Sequence, residues 1–146
     1  MPKKKRFSIS EDFVRIPTKG FLSNADSTLR VSDMPVRFSF RFCSFKKGEC
    51  ITNLEKKELE ALYKKFKKFE NLTWNQLNQL PREKGITVEK NDNENYENLK
   101  NRQPNLSRYF HFRVDGADTP FRVFGGQRDD LYCILFFDPK GKENKH

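Results

Sequence analysis

The feature that most constrains the fold is an uninterrupted run of seven apolar residues at 131–137, Leu-Tyr-Cys-Ile-Leu-Phe-Phe, which stops at Asp138-Pro139. A short continuous apolar run is typical of a strand that is covered on both faces or lies in the centre of a sheet. We therefore expect a sheet with this segment inside it. The neighbouring strands must come from segments in which apolar and polar residues alternate.

Three other segments have strand character. Residues 36–42 and 109–114 alternate strictly between apolar and polar side chains, which places the rings on one sheet face and the polar groups on the other. Residues 120–124 follow a Gly-Ala-Asp turn, and residues 125–130 form the turn into the apolar run, with Arg128 at its tip. The pattern predicts one early strand and a C-terminal antiparallel meander of three strands.

Two helices are predicted between the early strand and the meander. Thr52 or Asn53 can cap the first helix, and Thr52 and Glu55 have the spacing of a capping box. The helix that they open carries an apolar stripe of Leu59, Leu62, Phe66 and Phe69. A second box, at Thr73 and Gln76, opens a short helix that Pro81 ends.

Two helices on one face of an antiparallel sheet of about four strands, in the order strand, helix, helix, strand, strand, strand, define an α+β fold. The polar, Asn-rich segment 82–104 is expected to be a long loop, with at most a helical turn near residues 96–99. We expect a single domain at 36–139. Residues 1–35 form a basic extension that is loosely ordered or adds an edge strand, and residues 140–146 form a basic tail.

Several protein classes do not fit the sequence. No apolar run approaches the roughly 18–20 residues of a membrane helix, and the N-terminus lacks the apolar centre of a signal peptide. Cys43, Cys50 and Cys133 are odd in number and not closely paired, which favours reduced thiols in a cytoplasmic protein. The spacing of a zinc site and the phosphate-loop, dinucleotide and nucleophile-elbow motifs are absent. We expect no metal, no cofactor and no membrane partner.

The charge balance favours a polyanionic partner. Lys and Arg total 29 against 20 Asp and Glu, a net charge of +9, and several arginines lie on the polar faces of predicted strands. Such groups bind phosphate through charge-assisted hydrogen bonds. The predicted nucleic-acid contacts are the arginines Arg37, Arg41, Arg108 and Arg128, the helix lysines Lys64, Lys65 and Lys68, and the tail lysines Lys140 and Lys142.

A candidate catalytic surface follows from the same alternation. His111 shares a strand face with Arg113, and Arg122 lies on the next strand of the meander, while the register decides whether Tyr132 reaches this surface. Guanidinium groups stabilise charge on a phosphate, and His or Tyr moves protons to and from the 2′-hydroxyl and the leaving oxygen. This surface is suited to cleaving RNA without a metal.

The order of elements, the basic chain and the segments 121–125 (Phe-Arg-Val-Phe-Gly) and 131–135 (Leu-Tyr-Cys-Ile-Leu) resemble the RelE/ParE-like toxin superfamily of bacterial toxin–antitoxin systems. The resemblance extends from about residue 36 to the C-terminus. It implies an endoribonuclease that cuts mRNA on the ribosome for RelE-type members, or a poison of DNA gyrase for ParE-type members. Either kind is inhibited by a cognate antitoxin. It also implies that the catalytic residues are Arg122 and Arg113 together with Tyr132 or His146.

Two other function classes remain open. A non-catalytic nucleic-acid-binding protein of a phage or mobile element would use the same basic sheet, with an affinity that falls steeply with salt. A protein-interaction module would use its charge for an acidic partner, such as an antitoxin-like segment lying along the first helix. Each arginine taken singly is equally compatible with an ordinary solvent-facing residue paired with Asp or Glu.

Overall fold

The computed structural model describes residues 30–115 and 120–143. These residues form, in chain order, β1 (Arg37–Ser39), α1 (Lys56–Glu70), α2 (Trp74–Gln79), β2 (Ile86–Val88), α3 (Glu94–Arg102), β3 (Arg108–Arg113), β4 (Arg122–Arg128) and β5 (Leu131–Asp138). Short 3-10 turns precede β1 and α1. No helix in this part of the chain is both long and apolar enough to cross a membrane. Most of the expected N-terminal extension and His146 lie outside the described residues.

The five strands form one sheet in the order β1-β5-β4-β3-β2. The pairs β2–β3, β3–β4 and β4–β5 are antiparallel, whereas β1 runs parallel to β5. The α+β class is confirmed, but the sheet is mixed and has five strands instead of about four antiparallel ones. β5 lies inside the sheet with buried side chains on both faces, as its apolar run predicts.

One face of the sheet is covered by α1 and α2. Phe112 of β3 packs against Phe69 of α1 with ring centroids 4.9 Å apart. Trp74 of α2 lies 6.0 Å from Phe110, and its Nε1 donates a hydrogen bond to the carbonyl oxygen of Asp130 at 2.8 Å. These contacts place the two predicted helices on the same side of the sheet, as expected.

Both of these helices begin at capping boxes. The box of α2 is the predicted one. The backbone N–H of Gln76 donates to Oγ1 of Thr73 at 3.1 Å, and the backbone N–H of Thr73 donates to Oε1 of Gln76 at 2.9 Å. The predicted start of α1 at Thr52 or Asn53 is wrong by two or three residues, because both lie in a 3-10 turn and the cap is Glu55. The amide of Glu55 donates to Oε1 of Glu58 at 2.8 Å.

The opposite face of the sheet is covered by α3, so the expectation of a long loop at 82–104 is wrong. That segment contains both β2 and α3. Asn93 caps α3 by accepting the amide of Tyr96 at 2.8 Å, and Leu99 is fully buried. The Asn-rich composition predicted a loop because Asn favours turns. In the structure, however, Asn93 caps a helix and Leu99 anchors that helix in the core. The second core contains Leu99, Leu106, Tyr109, Phe124, Cys133, Leu135 and Phe136.

The first strand is shorter than the alternation at 36–42 predicts. β1 ends at Ser39, and the chain then turns, with the amide of Cys43 donating to the carbonyl oxygen of Phe40 at 3.0 Å. Phe40 is therefore half exposed, while Phe42 packs on the core below α3. β1 therefore pairs with β5 over only three residues.

The fourth strand is longer than predicted, because it continues through Gly125 and Gly126 to Arg128. A Cβ on Gly125 would lie 2.1 Å from the carbonyl oxygen of Cys133, so this glycine permits β4 and β5 to approach at a register shift. The turn predicted over residues 125–130 is confined to Asp129, whose φ is 57°, and Asp130, so Arg128 ends β4 instead of lying at the tip of the turn.

Candidate functional site

Two arginines of the predicted basic surface face each other on neighbouring strands. Arg113 ends β3, Arg122 begins β4, and the two are direct partners in the antiparallel register. Directly opposed residues lie on the same sheet face with Cβ atoms about 4.5–5.5 Å apart. The hairpin therefore brings together two of the predicted catalytic residues.

The positive charge of this pair is only partly balanced. Arg113 is exposed, whereas Arg122 is half-buried. Nη1 of Arg122 donates to the carbonyl oxygen of Pro120 at 3.2 Å, and its Nε is buried with no hydrogen-bond partner in the described part of the chain. Burial lowers the pKa of Arg122, the charge of Arg113 lowers it further, and Asp138 and Glu89 act in the opposite direction. Within residues 30–115 and 120–143, neither arginine forms a salt bridge.

His111 lies on the same face, two residues before Arg113. Its Nδ1 lies 2.5 Å from Oε2 of Glu89, and we assign the proton to Nδ1 because a carboxylate only accepts. Oε1 of Glu89 accepts hydrogen bonds from Asn93 at 3.4 Å and from Asn95 at 3.3 Å. This carboxylate therefore fixes the orientation of the imidazole, and Nε2 is the nitrogen left for proton exchange with a ligand.

The sequence did not single out Glu89, Asn93 or Asn95. Glu89 follows β2, where its amide donates to the carbonyl oxygen of Tyr109 at 2.9 Å. The one signal that pointed to it is the short alternation at 86–89, Ile-Thr-Val-Glu, which follows a glycine. That alternation is too short to stand out from the polar segment around it.

Access to this cluster is not equal from all sides. The side chains of His111 and Glu89 are 7% and 4% exposed. Asn93, which binds Glu89, also lines an open pocket of about 540 Å³ at the start of α3. The acidic residues of that pocket are Asp92, Glu94, Glu97 and Glu143. Because these carboxylates repel phosphate, an anion approaches the arginine pair most easily from the exposed Arg113.

Asp138 bounds the site on the other side. It is the partner of Arg122 across β4 and β5. Its Oδ1 and Oδ2 accept the amides of Lys142 at 2.9 Å and Glu143 at 3.0 Å, which folds the chain back after β5. Burial raises the pKa of Asp138, while these two hydrogen bonds act against the rise. Asp138 therefore shapes the turn at the edge of the site.

The predicted aromatic groups do not join the cluster. Tyr132 is fully buried on the opposite sheet face, where its hydroxyl donates to the carbonyl oxygen of Val123 at 2.9 Å. Burial raises the pKa of Tyr132 well above its ordinary value. Tyr109 shares the face of His111, but its hydroxyl donates to the carbonyl oxygen of Gln103. His146 lies outside the described residues.

Two of the other arginines lie at the far end of the sheet. Arg128 is six positions from Arg122 along β4, a separation of roughly 20 Å at about 3.3 Å per residue. Arg37 lies at the same far end, and its Nε is 3.6 Å from Oδ2 of Asp130. The structure therefore divides the predicted arginine surface into two separate places.

Arg108 and Arg41 are also away from the pair. Arg108 points to the face covered by α2, where its Nη2 donates to Asn78 at 2.8 Å and its guanidinium lies 5.8 Å from the ring of Trp74. Burial lowers the pKa of Arg108. Arg41 follows the end of β1 and lies 5.4 Å from the ring of Phe42.

The predicted lysines divide in the same way. Lys65 is buried, and its Nζ lies 3.2 Å from Oδ2 of Asp115, so the expectation that it faces solvent for phosphate is wrong. Lys65 lies four residues after the buried Ala61 and four before the buried Phe69, so it falls on the face of α1 that packs toward the sheet. The predicted lysines that are exposed are Lys64, Lys68, Lys140 and Lys142.

Comparisons with known proteins find no similar protein. The chain matches no protein-family model, no curated protein and no solved structure. In the part of the chain that the structure describes, no three His, Cys, Asp or Glu side chains are grouped so as to hold a metal ion. The chemistry of the site is therefore inferred from the arrangement of its own residues.

Proposed function

We propose that this chain is an endoribonuclease whose site is centred on Arg113, Arg122 and His111. The observation that carries the proposal is the opposition of two guanidinium groups on adjacent strands, with the imidazole on the same sheet face. Guanidinium groups bind phosphate oxygens through strong, geometrically specific hydrogen bonds. The net charge of +9 adds long-range attraction for a polyanion.

In this proposal the arginine pair binds the scissile phosphodiester and His111 acts as the base. Nε2 of His111 takes the proton of the 2′-hydroxyl, the 2′-oxygen bonds to phosphorus, and the bond from phosphorus to the 5′-oxygen breaks. The products are a 2′,3′-cyclic phosphate and a 5′-hydroxyl, whose proton comes from water, and the hydroxide that remains takes the proton from Nε2 of His111, which restores the base. A positioned base contributes roughly 10²–10⁴-fold to the rate. The two arginines stabilise the charge that develops on the phosphate.

The proposal extends to a RelE-like toxin that acts on mRNA at the ribosome and is inhibited by a cognate antitoxin. It is supported by the order β1, α1, α2, followed later by β3, β4 and β5, with Arg113 at the end of β3 and Arg122 at the start of β4. β2 and α3 are an addition to that order. An acidic antitoxin segment would inhibit by occupying the arginine pair.

A second candidate function, RNA binding without cleavage, is favoured by the burial of His111. A side chain that is 7% exposed has little surface for a substrate hydroxyl. In this candidate Arg113 and Arg122 bind phosphate, and the bond between His111 and Glu89 fastens β3 to the segment before α3.

The test is induced expression in bacteria together with an assay of the purified protein on single-stranded RNA. The variants are Arg113→Ala, His111→Asn and, as a matched control, Arg128→Ala, which removes an exposed arginine from the far end of the sheet. We expect growth arrest and mRNA cleavage with the intact protein and with Arg128→Ala. Both effects should be lost in the other two variants.

If His111→Asn fails to fold, Arg113→Ala still tests the proposal, because Arg113 is exposed and its replacement leaves the core unchanged. Normal growth with intact mRNA, and RNA left uncut by the purified protein, would overturn the endoribonuclease. RNA binding that persists under those conditions and depends on Arg113 would establish the second candidate instead.

A further inference from the structure

The end of β5 borders a basic pocket of about 330 Å³ that the proposed site does not use. Four lysines line it, two from the loop before α1 and two from the chain after β5: Lys46, Lys47, Lys140 and Lys142. Phe137 and Asp138 of β5 also contribute to its walls. The sequence indicated Lys140 and Lys142 as phosphate contacts, and the structure adds Lys46 and Lys47 beside them.

Two of the three carboxylates that line this pocket, those of Glu49 and Asp138, already accept hydrogen bonds. Both oxygens of Glu49 accept hydrogen bonds from Arg102, at 2.9 and 2.7 Å. Both oxygens of Asp138 accept backbone amides. Lys140 lies 3.6 Å from Glu58, which draws one of the four ammonium groups toward α1. Glu143 also lines the pocket and offsets one lysine charge, but Lys46, Lys47 and Lys142 are exposed, so the rim keeps a net positive charge.

An exposed aromatic ring stands next to this rim. Phe45 directly precedes Lys46 and is 89% exposed, the highest value among the large apolar residues of the described chain. Phe40 is 49% exposed, and its ring centroid lies 6.4 Å from that of Phe137 in the pocket wall. Proteins that bind single-stranded nucleic acid combine a positively charged groove with aromatic rings on which bases stack.

The pocket also adjoins the arginine pair. Asp138, in the pocket wall, is the direct partner of Arg122 across β4 and β5, and neighbouring strands lie about 4.8 Å apart. A chain of nucleotides whose phosphate lies at Arg113 and Arg122 therefore reaches the pocket with its next nucleotides.

We propose that the lysine pocket and Phe45 form a second subsite, which binds the nucleotides flanking the phosphate held by the arginine pair. A base stacks on Phe45, and the adjoining phosphates contact Lys46, Lys47 and Lys142. The subsite rests on the proposed function, and its ligand class is single-stranded RNA.

The test measures binding of a fluorescent single-stranded RNA with 2′-O-methyl groups, which no 2′-hydroxyl mechanism can cut, by anisotropy with the full chain. We expect Phe45→Ala to raise Kd roughly 5- to 150-fold, the range for loss of one stacked base. The matched control is Tyr63→Ala, which removes a ring that is 63% exposed on α1 and should leave Kd unchanged. Both residues are exposed, so neither variant threatens folding.

The lysines are tested through the salt dependence of binding. Lys46→Gln with Lys47→Gln should reduce the slope of log K against log salt by about 1.4, or about 0.7 for each lost phosphate contact on a single strand. Lys56→Gln with Lys67→Gln, which removes the same charge from exposed positions of α1, should leave the slope unchanged. If both double variants reduced the slope equally, the subsite would be overturned. Such a result would show a general attraction between the lysines and RNA instead of binding at one place on the surface.

Other outcomes separate the subsite from the cleavage reaction. RNA binding that depends on Phe45, in a protein that cuts no RNA, would support the subsite while the endoribonuclease fails. Cleavage with KM unaffected by Phe45→Ala would overturn the subsite while the endoribonuclease stands. Tighter binding of an oligoglutamate peptide than of RNA, again dependent on Phe45, would also overturn it, since the pocket would then be a peptide site.

Discussion

Arg102 binds Glu49 with both of its terminal nitrogens while its guanidinium lies 4.0 Å from the ring centroid of Phe136. Glu49 lies in the loop before α1, Arg102 ends α3, and Phe136 belongs to the core between α3 and the sheet. One arginine thus fastens α3 to a loop that is 53 residues away in the sequence.

This ion pair predicts a loss of stability in acid. The hydrogen bonds from Arg102 lower the pKa of Glu49 below its ordinary value of 4.5, so the stabilisation is present above that value and is lost as pH falls through the folded-state pKa. Glu49→Gln should lower the free energy of unfolding at pH 7 by about 1.5–3 kcal/mol. Urea unfolding between pH 3 and pH 7 should show a weaker pH dependence in the variant.

Glu60→Gln, at an exposed position of α1, is the control for this prediction. It should reproduce the acid destabilisation of the intact protein. If Glu49→Gln loses stability in acid as steeply as the intact protein does, another carboxylate is responsible.

The sequence predicted those parts of the fold in which a local pattern determines the structure. The apolar run at 131–137 predicted an interior strand, and Thr73 with Gln76 predicted the start of α2, because each pattern is complete within a few residues. Only a helical turn near residues 96–99 was expected where α3 lies, because only Asn95 and Leu99 are buried in it, and one buried leucine produces no helical periodicity.

The same limit applies to the candidate site. Arg113 and Arg122 were predicted on adjacent strands, because a hairpin joins sequence neighbours. The carboxylate that binds His111 comes from Glu89, which is 22 residues away beside a strand of three residues. Tyr132 was placed in the right strand, but its face depends on the register, and the register directs it into the core below α1 and α2.

Replacing Gly125 or Gly48 with alanine should lower the free energy of unfolding by different amounts. A Cβ on Gly125 would lie 2.1 Å from a backbone carbonyl oxygen, which cannot move without separating β4 from β5, so Gly125→Ala should destabilise by about 3 kcal/mol or more. Gly48 has φ +88° and open space around it, so Gly48→Ala should cost about 1–2 kcal/mol from backbone strain alone. Equal midpoints in urea denaturation would contradict this difference.

The thiol of Cys43 should react slowly in the native protein. Burial raises its pKa to about 11, with smaller contributions in the same direction from Cys50 and Glu49. At pH 8 only about one thousandth of the thiol is then ionised, against about a quarter for a free cysteine of pKa 8.5. Alkylation by iodoacetamide, followed by mass spectrometry of the Cys43 peptide, should be about a hundredfold slower than in the denatured protein. A rate that levels off near pH 9 would show that the thiol is not buried in this way.

Glu89→Gln tests whether the carboxylate positions His111. Gln retains the shape of Glu but not its two equivalent acceptor oxygens, so it no longer fixes the ring and its tautomer. We expect kcat for RNA cleavage to fall roughly 10²-fold or more, with Kd for RNA unchanged, because Glu89 does not contact the phosphate. Glu97→Gln, an exposed position on α3, should change neither constant. A parallel loss of kcat and of thermal stability would instead assign Glu89 a purely structural role.

The opposition of Arg113 and Arg122 predicts that removing one arginine stabilises the protein in the absence of an anion. Like charges directly opposed across strands are destabilising by about 0.2–1 kcal/mol, so Arg113→Ala should raise Tm slightly in buffer without phosphate. Phosphate at ten times its Kd should stabilise the intact protein by about 1.4 kcal/mol, and the variant much less. Differential scanning calorimetry at constant ionic strength measures both effects, with Arg128→Ala as the control that should keep the full phosphate response. A phosphate response that survives Arg113→Ala would place the anion elsewhere on the chain.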